Sequence, residues 1–94
     1  MSQSEPIQIT GIITRDLQSK NNFQGDAYYY TFLNIENSEK DLPIFFWRLD
    51  QEKAQQLEKE IKPNVKVTVF GNYGKNNQEV FNVNEWKVEE DFSI

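Results

Sequence analysis

The chain has 94 residues and a formal net charge of −5; 37% of its residues are hydrophobic, 14% are aromatic and none is cysteine. This length predicts a single domain with one modest core, and the composition excludes a disordered chain, a disulfide framework and a thiolate metal site. The acidic balance is unfavourable to nucleic-acid binding, because phosphate contacts rest on lysine and arginine.

The first predicted strand is interrupted by a glycine. Residues 7–10 alternate apolar and polar side chains, Gly11 interrupts the pattern and residues 12–15 resume it. A glycine inside a strand usually marks a bulge or bend, so we predict a long first strand that turns the corner of a small closed barrel. Residues 1–6 are predicted to be a loose leader. Residues 16–27 are predicted to be a polar loop, in which an aromatic residue, Phe23, is either tucked under the loop or offered to a ligand.

The next two predicted strands, residues 28–35 and 42–48, form a hairpin around a polar turn at residues 37–41. Alternate side chains of a strand face opposite ways, so each strand has one face toward the core. The aliphatic members predict the inward face: Tyr29, Thr31, Leu33, Ile35, Ile44 and Phe46. The outward face is then a set of rings: Tyr28, Tyr30, Phe32, Phe45 and Trp47. The alternative is that this parity is shifted by one residue, which would put some of these rings in the core.

One helix is predicted, over residues 50–62. Asp50 suits the N-cap position and Pro63 ends the helix. The apolar stripe of this segment is narrow: Ala54, Leu57 and Ile61. We therefore expect the helix to lay one edge on the core and to keep its charges in water.

Two more strands are predicted after the helix, at residues 65–70 and 79–88, joined through a polar loop at residues 74–78. The inward face of the last strand begins with Phe81 and Val83. A bulge is required if Trp86 and Val88 are also to face the core. Residues 89–94 are predicted to be an acidic tail.

The predicted order is three strands, one helix and two strands within one domain, residues 1–94. A helix between the third and fourth of five strands is the arrangement of the OB fold, a small, partly open Greek-key barrel. The predicted fold class is therefore all-β: a five-stranded OB-fold Greek-key barrel with one α-helix between strands three and four. In this fold the face of strands two and three, with the loops after strands one and four, binds ligands.

The residues offer little for catalysis and more for binding. Histidine and cysteine are absent and the glycines lack the phosphate-loop spacing, so we expect no enzyme activity, no cofactor and no metal site. Single-stranded nucleic acid is bound by stacking on aromatic rings beside cations. The candidate nucleic-acid-binding residues are Arg15, Lys20, Phe23, Tyr28, Tyr30, Phe32, Phe45, Trp47, Arg48, Tyr73 and Lys75.

The leading predicted partner is single-stranded nucleic acid, with DNA and RNA both open. Part of the acidity falls on the predicted helix and tail, which leaves the aromatic face nearer neutral. The alternative is that another protein chain, or a second copy in a homo-oligomer, covers this face, since tyrosine and tryptophan are favoured at protein interfaces. No apolar run approaches about 18 residues, so we expect no membrane partner. The lack of cysteine suits the cytoplasm.

Four segments follow each other in a familiar pattern: the first strand around Gly11, the apolar strand ending in Phe45-Phe46-Trp47, the helix with Ala54 and Leu57, and the strand from Pro63 into Gly71. In this order they resemble the bacterial single-stranded DNA-binding proteins and the small OB domains of replication protein A. The resemblance implies non-catalytic binding of single-stranded DNA. It also implies that Trp47 falls where the bacterial proteins carry a stacking aromatic, and Tyr73 where aromatic or basic residues meet the nucleic acid.

Overall fold

The computed structural model describes residues 6–21, 25, 27–36, 38–74 and 79–92. The predicted leader, apart from its last residue, and the last two residues of the predicted tail lie outside this part of the chain. The described part contains six strands and one helix, which are β1 (Ile7–Ile13), β2 (Gln18–Asn21), β3 (Ala27–Ile35), β4 (Asp41–Trp47), α1 (Gln51–Glu60), β5 (Val65–Tyr73) and β6 (Phe81–Asp91). Its helix is too short and too polar to cross a membrane.

Five of the strands close into a barrel. The neighbours run β1, β5, β6, β4 and β3, and the ring closes where Gly11–Ile13 of β1 pair with residues 33–35 of β3. The pairing of β4 with β6 is parallel, and the other pairings are antiparallel. The helix follows the third barrel strand in chain order, so the predicted OB fold with one helix between strands three and four is confirmed.

The sixth strand, β2, departs from the prediction of a loop over residues 16–27. Residues 18–21 pair antiparallel with β3, from Gln18 opposite Tyr30 to Asn21 opposite Ala27. All four β2 residues are polar and exposed, so no apolar alternation marks them as a strand. Backbone hydrogen bonds to β3 form this strand. The loop prediction is therefore wrong for these four residues, and also for Ala27, with which β3 begins.

The last strand extends further than predicted. β6 continues to Asp91, and Glu90 lies opposite Lys66 of β5. Opposite charges on facing residues of neighbouring strands favour such a pairing. Residues 89–91 therefore belong to the barrel wall, and the prediction that they are part of an acidic tail is wrong.

The inward faces of the strands fill the barrel. The buried hydrophobic cluster consists of Ile9, Ile13, Leu33, Ile44, Phe46, Leu57, Ile61, Val67, Val69, Phe81 and Val83. In the β3–β4 hairpin, Leu33, Ile44 and Phe46 are fully buried, so the predicted parity of the two strands is confirmed. The alternative parity, shifted by one residue, is wrong.

β6 keeps its apolar side chains on the core through a bulge. Its pairing with β5 shifts between Phe70 and Gly71, which leaves Asn84 as the extra residue, and beyond it Trp86 packs against the core. The predicted bulge is thereby confirmed. Glycine is required at position 71 because a Cβ there would collide with the backbone oxygen of Asn82.

The helix is capped as predicted and is shorter than predicted at its end. The backbone N–H of Lys53 donates to Asp50 Oδ1 at 2.7 Å, so Asp50 is the N-cap. The helical conformation ends at Glu60, because Ile61 has an extended backbone. Trp86 Nε1 donates to Glu60 Oε1 at 3.0 Å, which attaches the end of the helix to β6.

Candidate nucleic-acid interface

Five aromatic rings stand together on the outward faces of β3 and β4, and we call this surface the aromatic platform: Tyr28, Tyr30, Phe32, Phe45 and Trp47. The register explains their arrangement, because Tyr28 lies opposite Trp47 and Tyr30 lies opposite Phe45. Facing residues of neighbouring strands point to the same side of the sheet. The strand alternation of the sequence therefore predicts the position of all five rings correctly.

Each ring of the platform contacts at least one neighbouring ring, on its own strand or on the facing strand. The centroids of Tyr28 and Trp47 are 4.5 Å apart. Tyr30 and Phe45 are stacked at 5.8 Å with an angle of 23° between their planes. Phe45 and Trp47 are stacked at 6.1 Å with an angle of 12°. Tyr30, Phe45 and Trp47 therefore form a nearly parallel series of rings that ends at Trp47, at spacings within the range of aromatic pairs.

The platform is accessible, in contrast to the core face of the same strands. Trp47 is 37% exposed, and the other four rings are half-buried. Phe46, the residue between Phe45 and Trp47, is fully buried. The same strand therefore supplies one ring to the core and two to a surface that a ligand can reach.

Two of the predicted cations lie over the platform on its β2 side. The Arg15 guanidinium carbon is 4.6 Å from the centroid of Phe32, and Lys20 Nζ is 5.5 Å from the centroid of Tyr30. The Thr31 hydroxyl is buried and donates to the backbone oxygen of Arg15 at 2.7 Å, which holds this segment against β3. Both cations are within the range of a cation–π interaction.

The opposite end of the platform is polar. Trp47 Nε1 donates to Asn82 Oδ1 of β6 at 3.0 Å. A shallow recess beside the indole is lined by Arg48, Lys53 and Asn82, among other residues. Arg48 has a left-handed backbone, with φ of 53°, at the point where the chain leaves β4. The structure therefore brings the predicted Arg48 to the platform, together with Lys53 and Asn82, which are not among the residues predicted from the sequence.

Three predicted site residues remain: Phe23, Tyr73 and Lys75. Phe23 and Lys75 lie outside the described residues. Tyr73 is 38% exposed, and its ring packs edge-on against the core residue Phe81 at 5.2 Å. Among the rings the structure describes, Tyr73 contacts none of the platform, so a role for it in binding stays a prediction. Within the same described part, no three acidic side chains group as metal ligands.

Three solved structures are similar to this one. The mitochondrial single-stranded DNA-binding protein Rim1 of S. cerevisiae matches with a TM-score of 0.75 and 10% identity, over 97% of this chain and 99% of that chain. The SSB domain of a protein from Synechococcus sp. matches with a TM-score of 0.70 and 13% identity, over 92% and 97% of the two chains.

A deletion mutant of the single-stranded DNA-binding protein from Thermus aquaticus matches with a TM-score of 0.66 and 24% identity, over 95% of this chain and 43% of that chain. This chain therefore spans less than half of the Thermus protein. No protein-family model and no curated protein matches the sequence. At identities this low the likeness shows the fold: the chain has the OB barrel that these three single-stranded DNA-binding proteins also have.

Proposed function

We propose that this protein binds single-stranded nucleic acid, without catalysis, by stacking bases on the aromatic platform. The observation that carries the proposal is the series of five contacting rings on the outer face of one hairpin, with Trp47 37% exposed at its end. Stacking of a base on an aromatic side chain is worth ~1–3 kcal/mol and tolerates every base. Such a surface is suited to a strand of any sequence.

The cations around the platform support the proposal despite the net charge of −5. Arg15 and Lys20 lie at the β2 side of the rings, and Arg48 and Lys53 line the recess at the other end together with one carboxylate, that of Asp50. Bases lying on the rings would therefore have cations within reach of the phosphates on both sides. Because phosphate contacts release counterions, the affinity is expected to fall as salt rises.

DNA is the strand to test first, because the three similar structures are of single-stranded DNA-binding proteins. A labelled oligothymidylate is titrated with the protein at low salt, with fluorescence anisotropy and tryptophan quenching as the two readouts. Absence of both signals at tens of micromolar protein would contradict the proposal. An oligouridylate of the same length then compares RNA with DNA.

Two tryptophans with different environments give a matched pair of variants. Trp47→Ala removes an exposed ring of the platform and is expected to weaken binding about 5- to 150-fold, the equivalent of one base stack. Trp86→Phe changes a ring that packs against the core, and is expected to keep the affinity. The quenching by DNA should disappear in the first variant and persist in the second.

A second candidate function is a protein-interaction module that uses the same platform, and the acidic net charge favours it. Light scattering of the wild type and of Trp47→Ala separates the two candidates. Dissociation of an oligomer by Trp47→Ala supports the interaction module. Loss of oligonucleotide binding with an unchanged molar mass supports nucleic-acid binding.

A further inference from the structure

We infer that Asn82 is a positioning residue for Trp47, which holds the indole as a fixed stacking surface at the end of the platform. The inference rests on the proposed function and adds to it a residue of a strand outside the β3–β4 hairpin. Its starting observation is the hydrogen bond of 3.0 Å from Trp47 Nε1 to Asn82 Oδ1.

The parallel pairing of β4 with β6 puts Asn82 in reach of the indole. Asn82 lies opposite Phe45, between Phe81 and Val83, which are both buried. Since side chains alternate along a strand, Asn82 faces outward on the side of the platform. The side-chain amide of Asn82 therefore lies on the outer face of β6, beside the rings.

The chemistry of the contact fixes which way the amide points. An indole N–H can only donate, so the side-chain oxygen of Asn82 must face Trp47 and the NH₂ group must point away from it. The indole in turn lies nearly parallel to Phe45, at 12°, with its centroid 4.5 Å from that of Tyr28. One hydrogen bond and two ring contacts thus define the plane of the ring.

A fixed plane matters because Trp47 is exposed and lies at the end of its strand. Without a partner for its N–H, the indole is held by its contacts with Tyr28 and Phe45 alone, so it is less firmly fixed and a base that stacks on it must order it further. Ordering a side chain on binding weakens the affinity, and a ring that is already held avoids this loss. Asn82 therefore acts on nucleic acid through the indole.

Trp86 gives an internal reference for this contact. Its N–H donates to Glu60 Oε1, at the end of the helix, at 3.0 Å. The chain has two tryptophans, so two indole N–H signals are expected in a ¹⁵N–¹H spectrum. A change at Asn82 should move the signal of Trp47 and leave that of Trp86 in place.

The test is a double-mutant cycle of Asn82→Ala and Trp47→Phe, with affinity for a labelled oligothymidylate as the main readout. With Trp47 present, Asn82→Ala is expected to weaken binding about three- to tenfold, the range of one net hydrogen bond. With phenylalanine at position 47 there is no N–H to hold, so the same change should give no further loss. Gln8→Ala, at an exposed residue of β1, a strand that pairs with neither β4 nor β6, is the control and should bind like the wild type.

The outcomes separate this inference from the proposed function. A wild type that does not bind overturns both. A wild type that binds, with Asn82→Ala either harmless or equally damaging in both backgrounds, overturns the inference alone. Asn82→Asp keeps an oxygen that accepts from the indole, in a stronger hydrogen bond because the carboxylate is charged, so its Trp47 signal should not take the position that it has in Asn82→Ala; the same position in both variants also overturns the inference.

Discussion

Phe45 and Phe46 are neighbours on β4 that face opposite ways, so the same substitution at each position separates binding from stability. Phe46 is fully buried and meets the ring of Trp86 edge-on at 5.5 Å. Phe45 is half-buried on the platform, with the centroids of Tyr28 and Tyr30 each 5.8 Å from its own. Leucine fills a similar volume at either position but has no flat face on which a base can stack.

The two variants are expected to show different losses. Phe46→Leu should lower the free energy of unfolding by about 1–2 kcal/mol, because the smaller side chain leaves unfilled space in the core. Its affinity for DNA should stay within about twofold, since the platform is unchanged. Phe45→Leu should lower the free energy of unfolding by about 1 kcal/mol through lost ring pairs. Its affinity should fall at least about fivefold through a lost base stack.

Stability is measured by urea unfolding followed by circular dichroism, and affinity by anisotropy of a labelled oligothymidylate at one low salt concentration. A small domain with a stability of about 5–15 kcal/mol remains folded after either change, so affinities refer to native protein. Equal loss of affinity in both variants, or wild-type affinity in Phe45→Leu, would refute the assignment of base stacking to the outer face of β4.

Three further predictions concern the cations, the helix and the bulge. Arg15→Gln and Lys20→Gln should each reduce the slope of log K against log salt by about 0.7, because each removes one phosphate contact. Asp50→Ala should lower the free energy of unfolding by about 1 kcal/mol through the lost N-cap; it should not weaken DNA binding, because it removes a negative charge from the recess beside Trp47, as measured by urea unfolding and titration. Gly71→Ala should lower the free energy of unfolding by about 1–3 kcal/mol, since the added Cβ meets the backbone oxygen of Asn82. Binding should weaken as well, because Asn82 of β6 also accepts the hydrogen bond from the Trp47 indole.

Each of these has a clear contrary result. An unchanged salt slope in both cation variants would show that these two side chains make no phosphate contacts. A large loss of affinity in Asp50→Ala would mean that the helix takes part in binding. Wild-type stability in Gly71→Ala would mean that the bulge adjusts easily, so that the close approach of β5 and β6 is not needed.

The sequence predicts the fold correctly where buried and exposed side chains alternate along a strand. In the β3–β4 hairpin, aliphatic residues such as Leu33 and Ile44 mark the inward face, and this alone locates the five rings on the other face. The bulge of β6 is likewise predictable, because Trp86 cannot join the inward face of Phe81 without one extra residue. Local periodicity is sufficient for these features.

Features that depend on backbone pairing or on distant segments are not predictable in this way. β2 is entirely polar and exposed and pairs with β3 alone, so no apolar alternation in its own residues marks it as a strand. The end of β6 is acidic and gains its place through pairing with β5. The contact of Trp47 with Asn82 joins residues 35 positions apart, and only the parallel β4–β6 pairing, which has no local signal in the sequence, brings them together.

The β3–β4 hairpin, which carries the five rings, is paired over a longer stretch than the β4–β6 seam is. Seven residue pairs join β3 to β4, whereas three join β4 to β6. Native proteins open locally where the fewest interactions must break, so the β4–β6 seam, like the β1–β3 closure, which also has three residue pairs, should open before the hairpin does. Such breathing would release one indole from its amide while the other four rings keep their places, which gives the barrel a way to loosen one end of its ligand surface without unfolding it.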